Sequence, residues 1–349
     1  MAHLFADISS HGFGHLAQAA PVLNALRTAR PDLRLTVRSG LPRERLALRI
    51  DGDFEHIHAA SDFGFVMDNA LDVDLSASAR RYIEFHADWP GRVAAEADTL
   101  ARLSPDLVFT DVAYLPLAGA AAANVPAVSL CSLNWADLTR HYFHREDWLP
   151  ALHGQILAAY RSARVFLRTT PGMPMFDLPN VVNIGPVATP ATMDRAEVAR
   201  RLRLPKARRW VLVALGGFDF PLPVDSWPQP PGIRWLSPHQ ALARKLGFFN
   251  DLLAAADAVI TKPGYGTFVE AAAHGVPVLY LRRPDWPEQE HLIDWLRVHA
   301  RCAEVGREQA RRGDLLPTLE ALWALPAPQR PQPTGMAQAA KALLDLLPC

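Results

Sequence analysis

Residues 257–292, DAVITKPGYGTFVEAAAHGVPVLYLRRPDWPEQEHL, alternate apolar runs, a glycine turn and helical stretches. An apolar strand ends at Thr261, a turn follows at Gly264-Tyr265-Gly266, and Thr267 opens a helix with Glu270 one turn in. The glycines admit close approach of a ligand to the backbone, and the helix start favours an anion such as phosphate. A carboxylate three residues further on is placed to accept hydrogen bonds from a ribose diol. The next strand ends in Arg282-Arg283, and the loop after it presents Glu288, Gln289 and Glu290, side chains suited to sugar hydroxyls. Strand, glycine turn, helix and strand in this order make one unit of a parallel α/β sheet.

The same unit recurs on both sides of this stretch. RRWVLVALGG, GIRWL, ADAVIT, VPVLYL and CAEV alternate with helical stretches, so the C-terminal half reads as Rossmann-like. The first half predicts strands at 3–8, 34–38, 54–58, 106–110, 126–131 and 164–168, again with helices between them. The expectation is an α/β chain of two Rossmann-like domains, residues 1–186 and 187–335, whose parallel sheets face each other across a cleft. An amphipathic helix at 336–349 is expected to return to the N-terminal domain. Prolines and the basic cluster Arg200, Arg201, Arg203, Lys206, Arg208 and Arg209 interrupt the periodicity at the join, which places a hinge near Gly185–Pro190. That cluster reads as a solvated linker face. Residues 61–90 start polar and irregular, a loop length usually kept for function or motion.

The N-terminal turn is Ser9–His15, SSHGFGH, directly after the apolar run HLFADI. Residues 12–17 satisfy the loose dinucleotide pattern G-x-G-x-x-A, but the second strand ends in Arg38-Ser39 where a ribose-binding acid is usual, which leaves NADP as the dinucleotide reading. A metal reading would use His11 and His15, yet no carboxylate or cysteine stands at ligand spacing from them. A third reading makes both histidines the lining of a tight turn; a fourth makes the turn a platform for a catalytic base. His56, His58, His141 and His144 read as surface or packing residues, and DVD at 72–74 has no strand before it and is not a metal signature.

Composition narrows the partners. The 349 residues contain 36 Lys+Arg and 36 Asp+Glu, so no global field attracts nucleic acid or an anionic membrane. Half of the chain is hydrophobic and 21% charged, without an apolar run near the roughly 20 residues of a membrane span. Neither a transmembrane segment nor a signal peptide is expected. Cys131, Cys302 and Cys349 are scattered, as in a reduced, cytoplasmic protein.

The 257–292 arrangement resembles the donor-binding signature of GT-B glycosyltransferases, particularly the MurG-type enzymes. The resemblance implies that Gly264, Tyr265, Gly266 and Thr267 take the diphosphate of a nucleotide sugar, Glu270 the ribose, and Glu288 with Gln289 the donor sugar. VALGGFD is similar to the family's glycine turn after the first C-terminal strand, which implies Gly216, Gly217 and Phe218 near the diphosphate. GFGH, SPDLVFTDVAYLPLAGAAAANVPAV, SLNW, TKPGYG and LRRPDW together resemble the glycosyltransferase-like domain fused to plant L-arabinokinases. The GT-B fold that follows implies an inverting transfer with His15 as base and Asp111, at the end of DLVFTD, as its carboxylate partner. Asp111 is otherwise an N-cap for the helix starting near Tyr114. His11 is a second base or an acceptor contact with Gly12 and Gly14, and Asn134 and Trp135 line the acceptor pocket. The expected partners are a nucleotide-sugar donor, with UDP foremost, and an acceptor the residues do not identify. Neither cofactor nor metal is expected, because helix starts and backbone N–H groups meet the leaving charge. A nucleotide-sugar epimerase of the same fold and a non-catalytic nucleotide-sugar-binding module are the competing readings.

Overall fold

HLFADI sets Leu4, Ala6 and Ile8 on one face of an extended chain and Phe5 between His3 and Asp7 on the other, and in the computed structural model it is a strand buried at every position, β1 (His3–Ile8). A strand covered on both sides belongs in the middle of a parallel sheet. The structure describes residues 1–204, 209–216, 222–236 and 249–348. Among them β1 is joined by β2 (Arg34–Ser39), β3 (Glu55–His58), β4 (Leu107–Asp111), β5 (Ala127–Cys131), β6 (Val165–Arg168) and β7 (Val181–Asn183). All pair in parallel, in the order β3-β2-β1-β4-β5-β6-β7. The strand β7, just before the hinge read near Gly185–Pro190, is not among the strands expected from the sequence; it is three residues long, too short for an alternation to show.

A second parallel sheet contains β8 (Arg209–Val213), β9 (Ile233–Leu236), β10 (Ala258–Thr261), β11 (Val278–Tyr280) and β12 (Cys302–Glu304), ordered β12-β11-β10-β8-β9. Its core joins Val211, Val213, Ile260, Leu279 and Leu281 to Trp227 and Trp235. The chain divides into two compact units: Met1–Asp68 with Val73–Val187 and Thr334–Cys349, and Ala188–Pro333 with Asn69–Asp72. The assignment of Asn69–Asp72 to the second unit differs from the sequence reading, which kept residues 1–186 together. Ala70 and Leu71 are buried in the second unit's core, and Asp72 forms a two-pronged ion pair with Arg307, at 2.7 and 2.9 Å.

The irregular stretch before residue 75 ends where Asp74 caps the helix Leu75–His86, its side chain accepting from the Ala77 N–H. The two aspartates of DVD are thus an ion-pair member and a cap. Within the first unit the helix Gly335–Leu344 packs along the helix Phe13–Ala29. Among the described residues no helix is long and apolar enough to cross a membrane.

Candidate functional site

In the first sheet the chain runs outward from β1 through β2 to β3 and then crosses back to β4 on the other side of β1, so the carboxyl ends of β1 and β4 flank a topological switch point. Ligands of open parallel sheets bind at such points. Ile8 is in register with Asp111, and Asp111 with Leu130, which brings the ends of β1, β4 and β5 together. The helix after β1 begins at Phe13, with Gly12 at its cap, so His15 lies in its first turn. Its Nδ1 sits 3.1 Å from one carboxylate oxygen of Asp111 and 3.4 Å from the other, across 96 residues of chain. Asp111 does not cap the following helix, whose cap is Tyr114.

The spacing of the sequence offered His15 no carboxylate or cysteine, and the fold supplies both. Cys131 Sγ lies 4.0 Å from His15 Nδ1, and ligand atoms of His15, Asp111 and Cys131 all fall within 4.8 Å of one another. The three are buried. Burial opposes a charge on His15, but the Asp111 carboxylate, helped by Cys131, outweighs it and holds the imidazole well above its usual 6.5. Burial and the Asp111 charge push the Cys131 thiol up to about 11, so it stays protonated. With Nδ1 turned to a carboxylate, Nδ1 carries a proton and Nε2 is the nitrogen left to exchange one. Among the described residues Nε2 has no hydrogen-bond partner.

The other residues read from this turn divide by burial. His11 is half-buried, with its ring centroid 5.2 Å from that of Trp135 and 6.2 Å from that of His15. Gly14 is exposed, and a Cβ there would meet nothing within 4 Å. Trp135 is fully buried, so it forms the wall behind the histidines rather than an open pocket lining. Asn134 is the N-cap of the helix Trp135–Phe143: its Oδ1 accepts from the Asp137 N–H at 2.8 Å and its Nδ2 donates to the Asp137 carboxylate at 2.9 Å.

The second unit has its own switch point, between β8 and β10, and glycines stand at both strand ends. Gly216 follows β8 with φ +95°, a conformation glycine adopts freely. Gly217 and Phe218 lie outside the described residues. After β10 the helix begins at Tyr265 with Gly264 as its cap, two residues earlier than the sequence predicts, so Tyr265, Gly266 and Thr267 form its first turn. These are the residues whose N–H groups have no acceptor within a helix. Glu270 is 1% exposed.

Sequence reading missed Lys262. It is half-buried, and its side chain lies between the two glycine turns: a Cβ on Gly216 would be 3.2 Å from its Cε and one on Gly264 3.9 Å from its Nζ. Burial and the Arg283 guanidinium pull its ammonium down to about 7, against the Glu288 carboxylate. A lysine directly between a strand end and a glycine turn was the available signal. Glu288 and Gln289 open the helix Glu288–His299 instead of lying in a loop, because Pro287 is a ready cap position before an acidic first turn. Gln289 accepts from the Arg283 N–H at 3.0 Å and donates to the Arg283 carbonyl at 2.8 Å; Glu288 accepts from the Trp286 indole at 3.1 Å. Both side chains are buried and shape the 283–288 segment.

No protein-family model matches the chain. The L-arabinokinase of Arabidopsis thaliana is 25% identical to it over 328 residues, 90% of this chain and 31% of that protein, so the chain spans about a third of its relative's length. The calicheamicin glycosyltransferase CalG4 superposes with a TM-score of 0.59 at 17% identity, over 99% of this chain and 95% of that one. A UDP-glucosyltransferase from Polygonum tinctorium capable of glucosylating indoxyl gives 0.56 at 13% identity, over 99% and 93%. The fold is that of the GT-B glycosyltransferases.

Proposed function

We propose that this GT-B chain transfers a sugar from a nucleotide-diphosphate sugar, with UDP as the nucleotide, to an acceptor hydroxyl, inverting the anomeric centre without a divalent metal. His15 Nε2 takes the acceptor proton. The acceptor oxygen bonds to the anomeric carbon while the bond from that carbon to the diphosphate breaks, and the nucleoside diphosphate leaves with the electron pair. Asp111 keeps the proton on Nδ1 and stabilises the imidazolium that forms. The observation that carries this reading is the buried His15–Asp111 pair at the switch point, with Nδ1 3.1 Å from the carboxylate. On the donor side, Gly216, Gly264, Tyr265, Gly266 and Thr267 offer backbone to the diphosphate, Lys262 offers charge, and Glu270 takes the ribose. Glu288 and Gln289 present the donor sugar's subsite, and His11, Gly12 and Gly14 the acceptor's. A cytoplasmic setting belongs to the same reading, in keeping with the free thiols of Cys131 and Cys302.

The similarity to an L-arabinokinase supports a second reading, a nucleotide-sugar-binding module without turnover. A thermal-shift and calorimetric screen of UDP-, dTDP- and GDP-sugars, followed by a donor-hydrolysis assay, separates the two. The transferase reading expects one nucleotide class to bind and its sugar to be released slowly to water. Binding without release selects the module, conversion of the donor to its epimer selects an epimerase, and no binding of any nucleotide sugar removes all three.

A further inference from the structure

The segment after β3 brings a carboxylate to the Trp135 indole that packs against His15. Asp62 is 7% exposed; one of its oxygens accepts from Ser9 Oγ at 2.9 Å and the other from the Trp135 indole N–H at 2.8 Å. That indole is itself packed against both histidines, 5.8 Å from the His15 ring centroid and 5.2 Å from that of His11. The segment is tied down on either side of Asp62. Ser61 Oγ donates to Asp7 at 2.6 Å, and Gly64, at φ +58°, lies so close to His11 that a Cβ there would be 2.6 Å from the ring.

Hydrogen bonding alone does not require an acid at this position. An asparagine accepts from the indole equally well and can donate to Ser9 Oγ. Burial instead makes the carboxylate unfavourable, pushing Asp62 up to about 6, while the charge of His15 acts in the opposite sense. A buried acid placed where an amide would cost less, bonded to the indole that packs on His15, is a candidate for a functional charge.

We propose that Asp62 is a positioning residue for the His15 base: it fixes the Trp135 indole behind the imidazole and adds a second buried negative charge that stabilises the imidazolium formed during transfer. The inference rests on the reading of His15 as the base. Asp111 on β4, Cys131 on β5, the Trp135 ring and His11 on its own turn pack against His15, and Asp62 after β3 acts on it through space. Asp7 adds charge to the same network and is paired with Arg38, which also pairs with Glu96.

The test is a pH titration of the His15 Cε1–H resonance by NMR, assigned with His15→Gln, in the full chain without ligand. Asp62→Asn is expected to lower the proton affinity of His15 about three- to thirtyfold, and Asp111→Asn to lower it further. In the unsubstituted protein the same resonance is expected to show a smaller second inflection near pH 6, which Asp62→Asn removes. UDP release from UDP-glucose or dTDP release from dTDP-glucose, with water as acceptor, supplies the kinetic arm: turnover falls about tenfold in Asp62→Asn with the donor KM within about twofold of normal. An unmoved His15 midpoint in folded Asp62→Asn overturns the proposal, as does a His15 titration without a second inflection. Absence of hydrolysis in the unsubstituted protein counts against the transferase reading alone, since the titration stands without it.

Discussion

At the scale of single residues, the pH at which His15 works follows from its neighbours. Asp111 overcomes burial and keeps the imidazole protonated well above 6.5, and a base must be unprotonated to accept. Turnover is therefore expected to rise with pH through a limb lying above 6.5, and Asp111→Asn to move that limb downward while slowing the reaction. His15→Ala should lower turnover by about 10²–10⁴-fold with donor affinity nearly kept, measured as kcat beside a calorimetric Kd. Lys262 carries its charge on the acid side of its pKa, where a carboxylate carries none: its cation is present below about 7 and lost above it. Affinity for UDP-glucose is expected to fall between pH 6 and 8, and Lys262→Met to weaken binding and flatten that dependence, as read by calorimetry. Asp62 has a raised pKa in the fold, so its contribution to stability is present below 3.8 and lost as pH rises through about 6. Removing the charge by Asp62→Asn should stabilise the protein at pH 7–8 by up to about 3 kcal/mol in chemical denaturation.

At the scale of elements, each switch point is built from strand ends and the helix that follows. Thr261 ends β10 and Tyr265 starts a helix three residues beyond Lys262, leaving Pro263 and Gly264 to turn the chain. Glu270 projects from the second turn of that helix and is buried, so truncating it would both empty a packed space and remove a polar partner. Glu270→Gln keeps the volume and loses the charge. It is expected to weaken nucleotide-sugar binding about ten- to a hundredfold while the melting temperature falls by only a few degrees. Unchanged affinity in that variant would take Glu270 out of the donor site.

At the scale of the molecule, the chain's last helix supports its first. Gly335 N–H donates to the Pro186 carbonyl at 3.0 Å, and the Gln338 amide oxygen accepts from the Gly185 N–H at 2.7 Å. From there the helix runs along Phe13–Ala29, the helix that begins with the candidate base, and buries Ala339 and Leu343 completely. Leu343→Ala is expected to cost about 2–4 kcal/mol in urea unfolding. Deleting residues 334–349 should lower the melting temperature more than that single substitution does.

Whatever depends on neighbours along the chain is legible in the residues alone. Buried runs such as HLFADI and the glycine turns that follow them state a parallel α/β architecture, because apolar continuity and backbone freedom are local properties. Element edges were less legible where caps decide them: helix starts at Tyr265 and Glu288, and the short strand β7, are settled by a few hydrogen bonds with weak side-chain signals. The tertiary structure alone decided which chemistry meets at the switch points. Asp111 and Cys131 reach His15 because parallel register aligns the ends of β1, β4 and β5. Asp62 joins them because an irregular segment is held between Ser9 and Trp135, and irregular backbone leaves no period to read. The charge states follow from burial, which pulls Lys262 down and pushes Asp62 up, and burial is a property of the packed chain rather than of any residue in it.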